Sequence, residues 1–342
     1  MYGLAGKEIN WFKSYLDNRK QCCKVNGHIS KLENINFGVP QGSCLGPLLF
    51  LIYINDLPLA LDSSNVNMYA DDTSIYYSSQ SISSINNAVN KDLQSLKSWL
   101  DENKLSLNVA KTQSILIGSR YKIRAVEQPD HQKPSLHIGD ETISIITSTK
   151  YLGVQVDQFL NWDDHLVTIT KKVSRGLGML RYAKRYLPLV TVQTMYKSLI
   201  EPHLRYCCPV WGAAGNTALQ KLQKLQNRAA RIVTNSPYDA HSEPLIQKLG
   251  WPTIKQLIES ETAKVVYKAL HNEAPDYLKG LFHRLSDTQS RQLRNSNTDL
   301  RIPLFKTSSG QKSFEFRGAR IWNNLSNEAK RASTFLGFKH KL

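Results

Sequence analysis

Residues 69–77 read YADDTSIYY, a run in which two adjacent aspartates, Asp71 and Asp72, stand among apolar and aromatic residues. Apolar side chains alternate with other residues on both sides of the pair, at Val66, Met68, Ala70, Ile75 and Tyr77. This period of two predicts a β-hairpin with both aspartates at its turn. Close carboxylates repel each other unless a cation neutralises them, and their oxygens suit Mg²⁺ better than zinc. A solvated polar turn is the alternative interpretation of YADD taken alone.

The composition and charge of the chain restrict its class and its partners. A chain of 342 residues with 41% hydrophobic content is long enough for two or three globular domains. Its net charge of +16 indicates a polyanionic partner, either nucleic acid or an anionic membrane surface. We favour nucleic acid and expect no membrane partner, because the apolar run at residues 47–54 is far shorter than the roughly 20 residues that span a bilayer. No secretory signal opens the chain, so we expect an intracellular protein, nuclear or cytoplasmic, that is not secreted.

The five cysteines form two adjacent pairs and one single residue: Cys22, Cys23, Cys44, Cys207 and Cys208. They show no CxxC spacing and no nearby histidine pattern of a zinc site. An odd set of this kind favours a reducing compartment in which the thiols stay free. We therefore expect the cysteines to be small buried hydrophobic residues.

A glycine-rich stretch precedes the aspartates, and residues 37–58 read FGVPQGSCLGPLLFLIYINDLP. Ser43 is placed to cap a helix whose first turn contains Pro47. We expect that helix to end at Leu57, since Pro58 follows. Such a junction offers free backbone N–H groups and close approach to a flat or anionic ligand. Ordinary loop-to-helix geometry explains the pattern almost as well.

Further periodic patterns follow the aspartates. Apolar residues three or four apart predict an amphipathic helix over residues 81–101. Alternation predicts a strand over residues 105–109, before Lys111, and another strand in KYLGVQVD at residues 150–157. Residues 119–142 contain two prolines and scattered charges, which predict a loop.

From Asp163 onward the pattern is helical. Two predicted helices each turn an apolar face inward and leave a basic face outside. The basic residues are Lys171, Lys172, Arg175, Lys184 and Arg185 in the first helix, and Lys221, Lys224, Arg228 and Arg231 in the second; the candidates for nucleic-acid contact are the first three of the first helix and all four of the second. Basic faces are usually solvated surface, but two in succession make nucleic-acid contact an equally good interpretation in so basic a chain.

The order of these features closely resembles the second half of a reverse-transcriptase palm. GVPQGSCLGPLLFLIYINDLP is similar to that family's motif B, YADD to motif C, LSLNVAKTQ to motif D and YLGVQVD to the primer-grip strand. WFKSYLDNRKQ ahead of motif B, with YCCPVWG and LQKLQNRAARIV behind the palm, is similar to non-LTR retrotransposons of the jockey and chicken-repeat kind. The resemblance covers nearly the whole chain, and the joint occurrence of these motifs in this order is highly specific.

The resemblance implies a metal-dependent role for the hairpin. Asp71 and Asp72 would help to hold two Mg²⁺ ions during nucleotidyl transfer, with Asp71 as the main ligand. Tyr69 and Ala70 would set the hairpin beside the primer end. The implied partners are an RNA template, a DNA primer and deoxynucleotides.

The resemblance also implies roles for the glycine loop and for motif D. Gln41 and Gly42 would approach the template base and the incoming nucleotide, where a residue larger than Gly42 would block the backbone. Lys111 would lie near the nucleotide phosphates and act as a general acid for the departing pyrophosphate. An ordinary surface lysine is the alternative interpretation of Lys111.

One part of the family pattern has no counterpart in this sequence. Motif A, a strand with a metal-binding aspartate ahead of WFKSYL, is missing, because Glu8 is the only acid before WFKSYL and Asp17 lies on the wrong side of the helix. The fingers and the endonuclease domain have no counterpart either, and the chain begins in mid-element. We therefore hypothesise an N-terminal truncation.

The resemblance implies an α+β fold in three parts. We expect residues 1–160 to form the C-terminal half of a right-hand polymerase palm with motifs B to E, residues 161–235 a helical thumb-like region, and residues 236–342 a helical, basic C-terminal region. The implied function is that of a fragment of an RNA-directed DNA polymerase from a non-LTR retrotransposon. The alternatives are a catalytically incomplete nucleic-acid-binding remnant and an exapted RNA-binding protein. We expect the isolated chain to be inactive for lack of motif A.

Overall fold

Short antiparallel hairpins alternate with helices in the first part of the chain, and helices dominate the rest. The computed structural model describes residues 3, 5–40, 42–129, 132–288 and 297–342. This mixture of helix and strand confirms the expected α+β class. The chain divides into two units, the first formed by Met1–Thr112 with Gln132–Ser144 and the second by Gln113–His131 with Ile145–Leu342. The palm and thumb boundaries near residues 160 and 235 remain predictions.

The elements that the structure describes in the first 157 residues include two short 3₁₀ helices, η1 and η2. In chain order these elements are α1 (Lys7–Leu16), β1 (Arg19–Gln21), β2 (Lys24–Val25), β3 (His28–Ile29), β4 (Glu33–Ile35), α2 (Gly46–Tyr53), η1 (Leu57–Ala60), β5 (Asn65–Tyr69), β6 (Asp72–Tyr76), α3 (Ile82–Glu102), η2 (Val109–Lys111), β7 (Gln113–Ile115), α4 (Arg120–Glu127), β8 (His137–Ile138), β9 (Glu141–Thr142), β10 (Ser144–Ile146), β11 (Ser148–Tyr151) and β12 (Val154–Asp157). Antiparallel pairs join β1 with β4, β2 with β3, β5 with β6, β8 with β9, and β11 with β12.

The elements after residue 157 that the structure describes are helices. They are α5 (Asp163–Ala183), α6 (Leu189–Leu199), α7 (Glu201–Arg205), α8 (Cys208–Trp211), α9 (Asn216–Val233), α10 (Ser242–Lys248), α11 (Ile254–Leu270), α12 (Asp276–Lys279), α13 (Leu285–Thr288), α14 (Ser308–Gln311), α15 (Phe314–Asn323), α16 (Asn327–Lys330) and α17 (Phe335–His340). Within the described part of the chain, no helix combines the length and the apolar character needed to cross a bilayer.

The β5–β6 hairpin packs against α3 in the first unit. Val66 pairs with Ile75 across the two strands, so their side chains lie on the same face of the hairpin. That face, together with Met68, packs against a hydrophobic core that includes Leu93 and Leu96 of α3. The predicted hairpin and the predicted long helix after it are both confirmed.

The helix after the glycine loop is shorter than predicted. The Ser43 hydroxyl accepts a hydrogen bond from the backbone N–H of Gly46 (2.9 Å), the first residue of α2, although Leu45 and not Ser43 occupies the N-cap position. Helix α2 ends at Tyr53, however, and not at Leu57. Pro58 lies in the first turn of η1, where its missing N–H costs no hydrogen bond, so the proline begins a new 3₁₀ turn after a break.

The predicted strand over residues 105–109 is wrong. The segment is irregular and leads into η2, because the Asn108 side chain accepts a hydrogen bond from the backbone N–H of Lys111 (3.1 Å). An asparagine that bonds to the backbone three residues on turns the chain and so competes with strand pairing.

The predicted loop over residues 119–142 is also wrong. It contains helix α4, which begins where the Ser119 hydroxyl accepts a hydrogen bond from the backbone N–H of Lys122 (3.3 Å). Ile123 on this helix is buried. The β8–β9 hairpin follows, with Gly139 at a φ of 58° in its turn. The scattered charges and prolines led to the prediction of a loop, although the segment contains a capped helix and a hairpin with a glycine in its turn.

KYLGVQVD forms two strands instead of the predicted one. Strands β11 and β12 pair around a turn at Leu152 and Gly153, which have φ angles of 44° and 83°. Glycine adopts a positive φ freely, so the LG dipeptide reverses the chain where simple alternation predicts that the strand continues.

Helices α5 and α9 pack against each other in the second unit. Val173 and Leu180 of α5 and Leu222 and Ala229 of α9 are fully buried (0% exposed). These residues belong to one hydrophobic core, which confirms the predicted apolar faces of the two helices.

Helix α11 takes part in two hydrophobic cores of the second unit. Leu257 in its first half belongs to the core of α5 and α9. Val266 and Tyr267 in its second half belong to another core, together with Trp322 and Phe338. One continuous helix therefore connects the two cores.

The prediction that the cysteines are buried is wrong for most of them. Cys208 is buried, Cys207 is half-buried, and the exposed ones are Cys22, Cys23 and Cys44. Every residue from 21 to 30 is exposed, so the short strands around the first pair have no apolar layer over them. Burial raises the pKa of the Cys208 thiol to about 12.

Candidate functional site

The two aspartates lie at the tip of the β5–β6 hairpin. Tyr69 pairs with Asp72, so Ala70 and Asp71 form the two-residue turn between the strands. Ala70 has a φ of 53°, a left-handed conformation that costs a residue with a Cβ about 1–2 kcal/mol. All four residues are exposed. The turn therefore presents two carboxylates to solvent on a strained backbone.

A buried carboxylate on α3 holds the chain that enters this hairpin. Asp92 is fully buried (0% exposed) and accepts hydrogen bonds from the backbone N–H groups of residues 62–64, at 3.0, 3.2 and 2.6 Å. Burial alone would raise the pKa of Asp92, but the hydrogen bonds outweigh burial and lower that pKa. Strand β5 begins at the next residue, so Asp92 positions the strand that leads to Asp71.

Sequence reasoning missed Asp92, although a signal was present. Asp92 lies three residues after Val89 and four before Leu96, so it is on the apolar face of the predicted helix, where an apolar residue is expected. Burying a charge without partners is costly, so an acid on the apolar face of a helix predicts buried hydrogen-bond donors nearby.

The glycine loop leaves its backbone accessible. Gly42 is exposed at a φ of 79°, and a Cβ added there would meet no atom within 4 Å. Gln41, the other residue expected to face the nascent base pair, lies outside the described residues. The Tyr53 hydroxyl at the end of α2 donates a hydrogen bond to the carbonyl oxygen of Asn103, just after α3. The helix that follows the loop is thereby tied to the helix that supports the hairpin.

Lys111 is exposed at the end of η2. Val109, two residues earlier, packs against the same hydrophobic core as Val66 and Met68 of the hairpin. The ammonium group of Lys111 forms no ion pair with a residue that the structure describes. The first unit therefore places the two aspartates and Lys111 on segments supported by one core.

The donor chemistry at the hairpin tip fits Mg²⁺. This ion prefers oxygen ligands, keeps several waters, and is commonly held by one or two carboxylates together with substrate phosphates. Asp71 and Asp72 supply two exposed carboxylates. Among the residues that the structure describes, no group of three or more His, Cys, Asp or Glu side chains forms a possible metal site. The tip therefore offers two protein ligands and leaves the other positions to phosphate, water or another segment.

The basic residues predicted to contact nucleic acid lie on α5 and α9. Most of them are exposed, namely Lys171, Lys172, Arg175, Lys221, Lys224 and Arg228. Arg231 is half-buried, and its Nε donates a hydrogen bond to the carbonyl oxygen of Ala240 (2.8 Å). Arg231 therefore also holds the chain that follows α9, and contact of all seven with nucleic acid stays a prediction.

A tyrosine of the YCCPVWG segment braces the β11–β12 hairpin. The Tyr206 hydroxyl donates a hydrogen bond to the carbonyl oxygen of Leu152 (2.6 Å). Its ring lies so close to Gly153 that a Cβ there would come within 3.2 Å of the ring. Trp211 Nε1 in turn donates to the carbonyl oxygen of Tyr206 (2.7 Å). The segment thus holds the turn of the hairpin that resembles the primer grip.

Comparisons with known proteins point to one family. The family model described as reverse transcriptase (RNA-dependent DNA polymerase) matches residues 3–156. The probable RNA-directed DNA polymerase from transposon X-element of Drosophila melanogaster is 25% identical over 269 residues, which are 76% of this chain and 28% of that protein. The RNA-directed DNA polymerase from mobile element jockey of Drosophila funebris is 26% identical over 298 residues, which are 84% of this chain and 31% of that protein.

The matches confirm the resemblance that the motifs carry. The jockey polymerase of D. melanogaster is 26% identical over 263 residues, which are 74% of this chain and 28% of that protein. The chain thus spans less than a third of the length of these relatives. The matched region includes the glycine loop, the aspartate hairpin and Lys111. Residues 3–156 of this chain are thus similar to the reverse transcriptase family, and these relatives are RNA-directed DNA polymerases of mobile elements, as the sequence motifs predicted.

Proposed function

We propose that this chain is part of an RNA-directed DNA polymerase, which extends a DNA primer along an RNA template with deoxynucleotides. The observation that carries the proposal is the pair of carboxylates at the tip of a supported hairpin, inside the region that matches the reverse transcriptase family. Residues 1–160 would form the later part of the palm, residues 161–235 a thumb-like region, and residues 236–342 a basic C-terminal region.

The hairpin would hold the catalytic metal. Asp71 and Asp72 would bind Mg²⁺ together with the triphosphate of the incoming nucleotide, and two ions are expected. Bound Mg²⁺ activates a hydroxyl nucleophile and neutralises charge on the phosphoryl group that is transferred. Ala70 lies in the turn and Tyr69 is exposed beside it. Both residues would set the hairpin beside the primer end. Asp92 positions β5 and so holds the carboxylates in place.

The glycine loop and Lys111 would serve the nucleotide. The accessible backbone at Gly42 would lie against the nascent base pair, with Gln41 beside the template base. Lys111 Nζ would donate a proton to an oxygen of the departing pyrophosphate. An exposed ammonium group without an ion pair to a described residue is available for that contact.

Nucleic-acid binding without catalysis is the second candidate for the 342-residue chain by itself. The observation in its favour is that no third acidic, His or Cys side chain among the described residues joins the two aspartates. Mg²⁺ gives up its water reluctantly, so two carboxylates on an exposed turn would bind it weakly. We therefore expect no detectable primer extension by this chain alone.

The experiment joins this chain to the segment that precedes the matched region in the jockey polymerase. The chimera should extend a primer on an RNA template in the presence of Mg²⁺. Asp71→Asn should abolish extension and leave template binding largely intact, because the amide loses the charge that holds the metal. Asp140→Asn is the matched control, because Asp140 is an exposed aspartate in the two-residue turn of the β8–β9 hairpin.

Two outcomes would contradict this account. Full extension by the Asp71→Asn chimera would remove the hairpin from catalysis. Robust Mg²⁺-dependent extension by residues 1–342 alone would show that another acid of this chain completes the metal site.

A further inference from the structure

One segment of the second unit carries positive charge without any acid. From His165 to Ile200 the sequence contains no aspartate or glutamate. The same segment contains seven basic residues: Lys171, Lys172, Arg175, Arg181, Lys184, Arg185 and Lys197. None of the seven forms an ion pair with any residue in the described part of the chain. Charges that the fold leaves unneutralised attract a polyanion.

Part of this charge belongs to a stripe along the side of α5 that faces away from the core. Steps of three or four residues put five exposed side chains on one line of the helix: Lys171, Arg175, Met179, Tyr182 and Tyr186. Helix α5 ends at Ala183. The backbone N–H of Tyr186 donates a hydrogen bond to the carbonyl oxygen of Ala183 (3.0 Å), so a further helical turn continues the chain to Tyr186. At about 1.5 Å per residue this α5 stripe is roughly 22 Å long.

The two ends of the α5 stripe differ in chemistry. Lys171 and Arg175 supply cations at the first end. At the other end Tyr182 and Tyr186 are 66% and 69% exposed, and their ring centroids lie 5.4 Å apart with planes inclined by 54°. Met179, 49% exposed, lies between the two ends. A ligand that covers the whole stripe needs negative charge at one end and flat apolar faces at the other.

We propose that the α5 stripe binds single-stranded nucleic acid, with phosphates on Lys171 and Arg175 and unpaired bases stacked on Tyr182 and Tyr186. Sites for single strands combine a positive track with aromatic rings on which bases stack. A duplex offers phosphates but keeps its base faces inside the stack, and an acidic peptide offers charge without flat faces. The inference rests on the proposed function and deepens it, because a polymerase must also guide the unpaired template.

The experiment measures binding of the 342-residue protein to a fluorescein-labelled oligo-uridine strand, by anisotropy at several salt concentrations. The double variant Tyr182→Ala/Tyr186→Ala should bind roughly tenfold or more weakly, because it loses base stacking. Its salt dependence should not change. Lys171→Gln/Arg175→Gln should instead flatten the slope of log affinity against log salt by about 0.7 for each phosphate that the protein no longer neutralises.

Two controls separate stacking from general effects. Tyr182→Phe/Tyr186→Phe keeps the rings and should retain binding. Tyr277→Ala removes a tyrosine of α12 that is 74% exposed and should leave binding unchanged. Duplex RNA should bind the Tyr182→Ala/Tyr186→Ala variant as well as it binds the parent protein.

Several results would overturn the proposal. If Tyr182→Ala/Tyr186→Ala loses no more affinity for the single strand than Tyr277→Ala does, the two tyrosines are not in the interface. If the double variant loses equal affinity for single strand and duplex, stacking is excluded. The tyrosines would belong to a membrane or protein interface if their removal abolished binding to phosphatidylserine vesicles or self-association but spared the single strand. None of these measurements needs primer extension. Failure of the α5 stripe is therefore distinguishable from failure of the polymerase proposal, which the Asp71 dependence of extension tests.

Discussion

At the residue scale, two hairpins of the first unit form a similar turn with different residues. The β8–β9 hairpin has Gly139 at a φ of 58°, and the β5–β6 hairpin has Ala70 at a φ of 53°. Glycine adopts this conformation without strain, whereas alanine does not. Strained backbone of this kind persists where its surroundings hold it, and it is concentrated at functional sites.

Ala70→Gly should therefore raise the free energy of unfolding of the chain by about 0.5–1 kcal/mol. Removal of the Cβ relieves about 1–2 kcal/mol, and the larger entropy of glycine in the unfolded chain offsets part of that gain. Urea denaturation checks the change. Gly139→Ala is the reverse control and should destabilise the chain, and a loss of stability in Ala70→Gly would show that the turn is not strained.

His165 is a second residue whose surroundings have a measurable consequence. Its side chain is buried in the second unit (5% exposed), and Nδ1 accepts a hydrogen bond from the backbone N–H of Gln155 (3.2 Å). Nε2 is buried without a hydrogen-bond partner in the described part of the chain. Burial lowers the pKa of His165, and the positive charge of Lys172 lowers it further.

The stability of the chain should therefore fall as the pH drops below the ordinary histidine pKa of about 6.5. Above that pH His165 is neutral in both states, so its contribution is fully present. Below it the unfolded chain takes up a proton that the folded chain resists, and the contribution is lost progressively toward the lowered pKa. His165→Phe should flatten the pH dependence of the urea midpoint between about pH 7.5 and 5.5. The control variant His241→Gln replaces an exposed histidine and should leave the pH dependence of the urea midpoint unchanged.

At the element scale, the position of the candidate site depends on bonds between distant segments. Asp92 in α3 holds the start of β5, about thirty residues earlier in the chain. Tyr206, ahead of α8, holds the turn of β11–β12. In both cases a side chain on or beside a helix satisfies backbone groups of a hairpin's turn or of the segment that enters the hairpin.

The glycine loop gives a prediction at this scale. In the active chimera, Gly42→Val should abolish nucleotide incorporation, because the new side chain would occupy the path by which the ligand reaches the backbone. A φ of 79° strains any residue with a Cβ, but the fold should survive, since a Cβ at Gly42 meets no atom within 4 Å. Single-nucleotide incorporation by a variant with parent-like circular dichroism is the measurement.

Gly38→Val is the matched control for backbone strain. Gly38 has a φ of 71° in the same loop, and a Cβ there also meets no atom within 4 Å. Both variants therefore suffer similar strain, and a difference in incorporation reports contact with the ligand. Wild-type incorporation by folded Gly42→Val would place the loop elsewhere.

At the scale of the whole molecule, the net charge of +16 raises the affinity for any polyanion. The basic residues of α5 give a specific prediction about this affinity. The triple variant Lys171→Gln/Lys172→Gln/Arg175→Gln should weaken binding to a primer–template duplex. It should also flatten the salt slope by up to about one unit for each phosphate that the variant no longer neutralises.

The control for that prediction removes the same charge elsewhere. Lys20→Gln/Lys24→Gln/Lys31→Gln neutralises three exposed lysines of the first unit. If both triple variants weaken binding equally, net charge and not a local contact determines affinity. Titration of labelled duplex at several salt concentrations distinguishes the two cases.

Features that depend on neighbouring residues could be predicted from the sequence alone. Alternation around the two aspartates predicted the β5–β6 hairpin, and apolar spacing predicted α3, α5 and α9 with their buried faces. The order of motifs predicted the resemblance to reverse transcriptases, which the family model over residues 3–156 confirms. Such signals are local, since the periods of strands and helices repeat within a few residues.

Features that join distant residues required the tertiary structure. The burial of Asp92 against residues 62–64, the contact of Tyr206 with Leu152 and the exposure of Cys22 and Cys44 depend on which elements pack together. The exposure of the tyrosine end of the α5 stripe also depends on packing, since α9 covers one side of α5 and leaves Tyr182 in solvent. A hydrogen bond or a buried face requires a partner, and the period of a single segment does not contain the position of that partner.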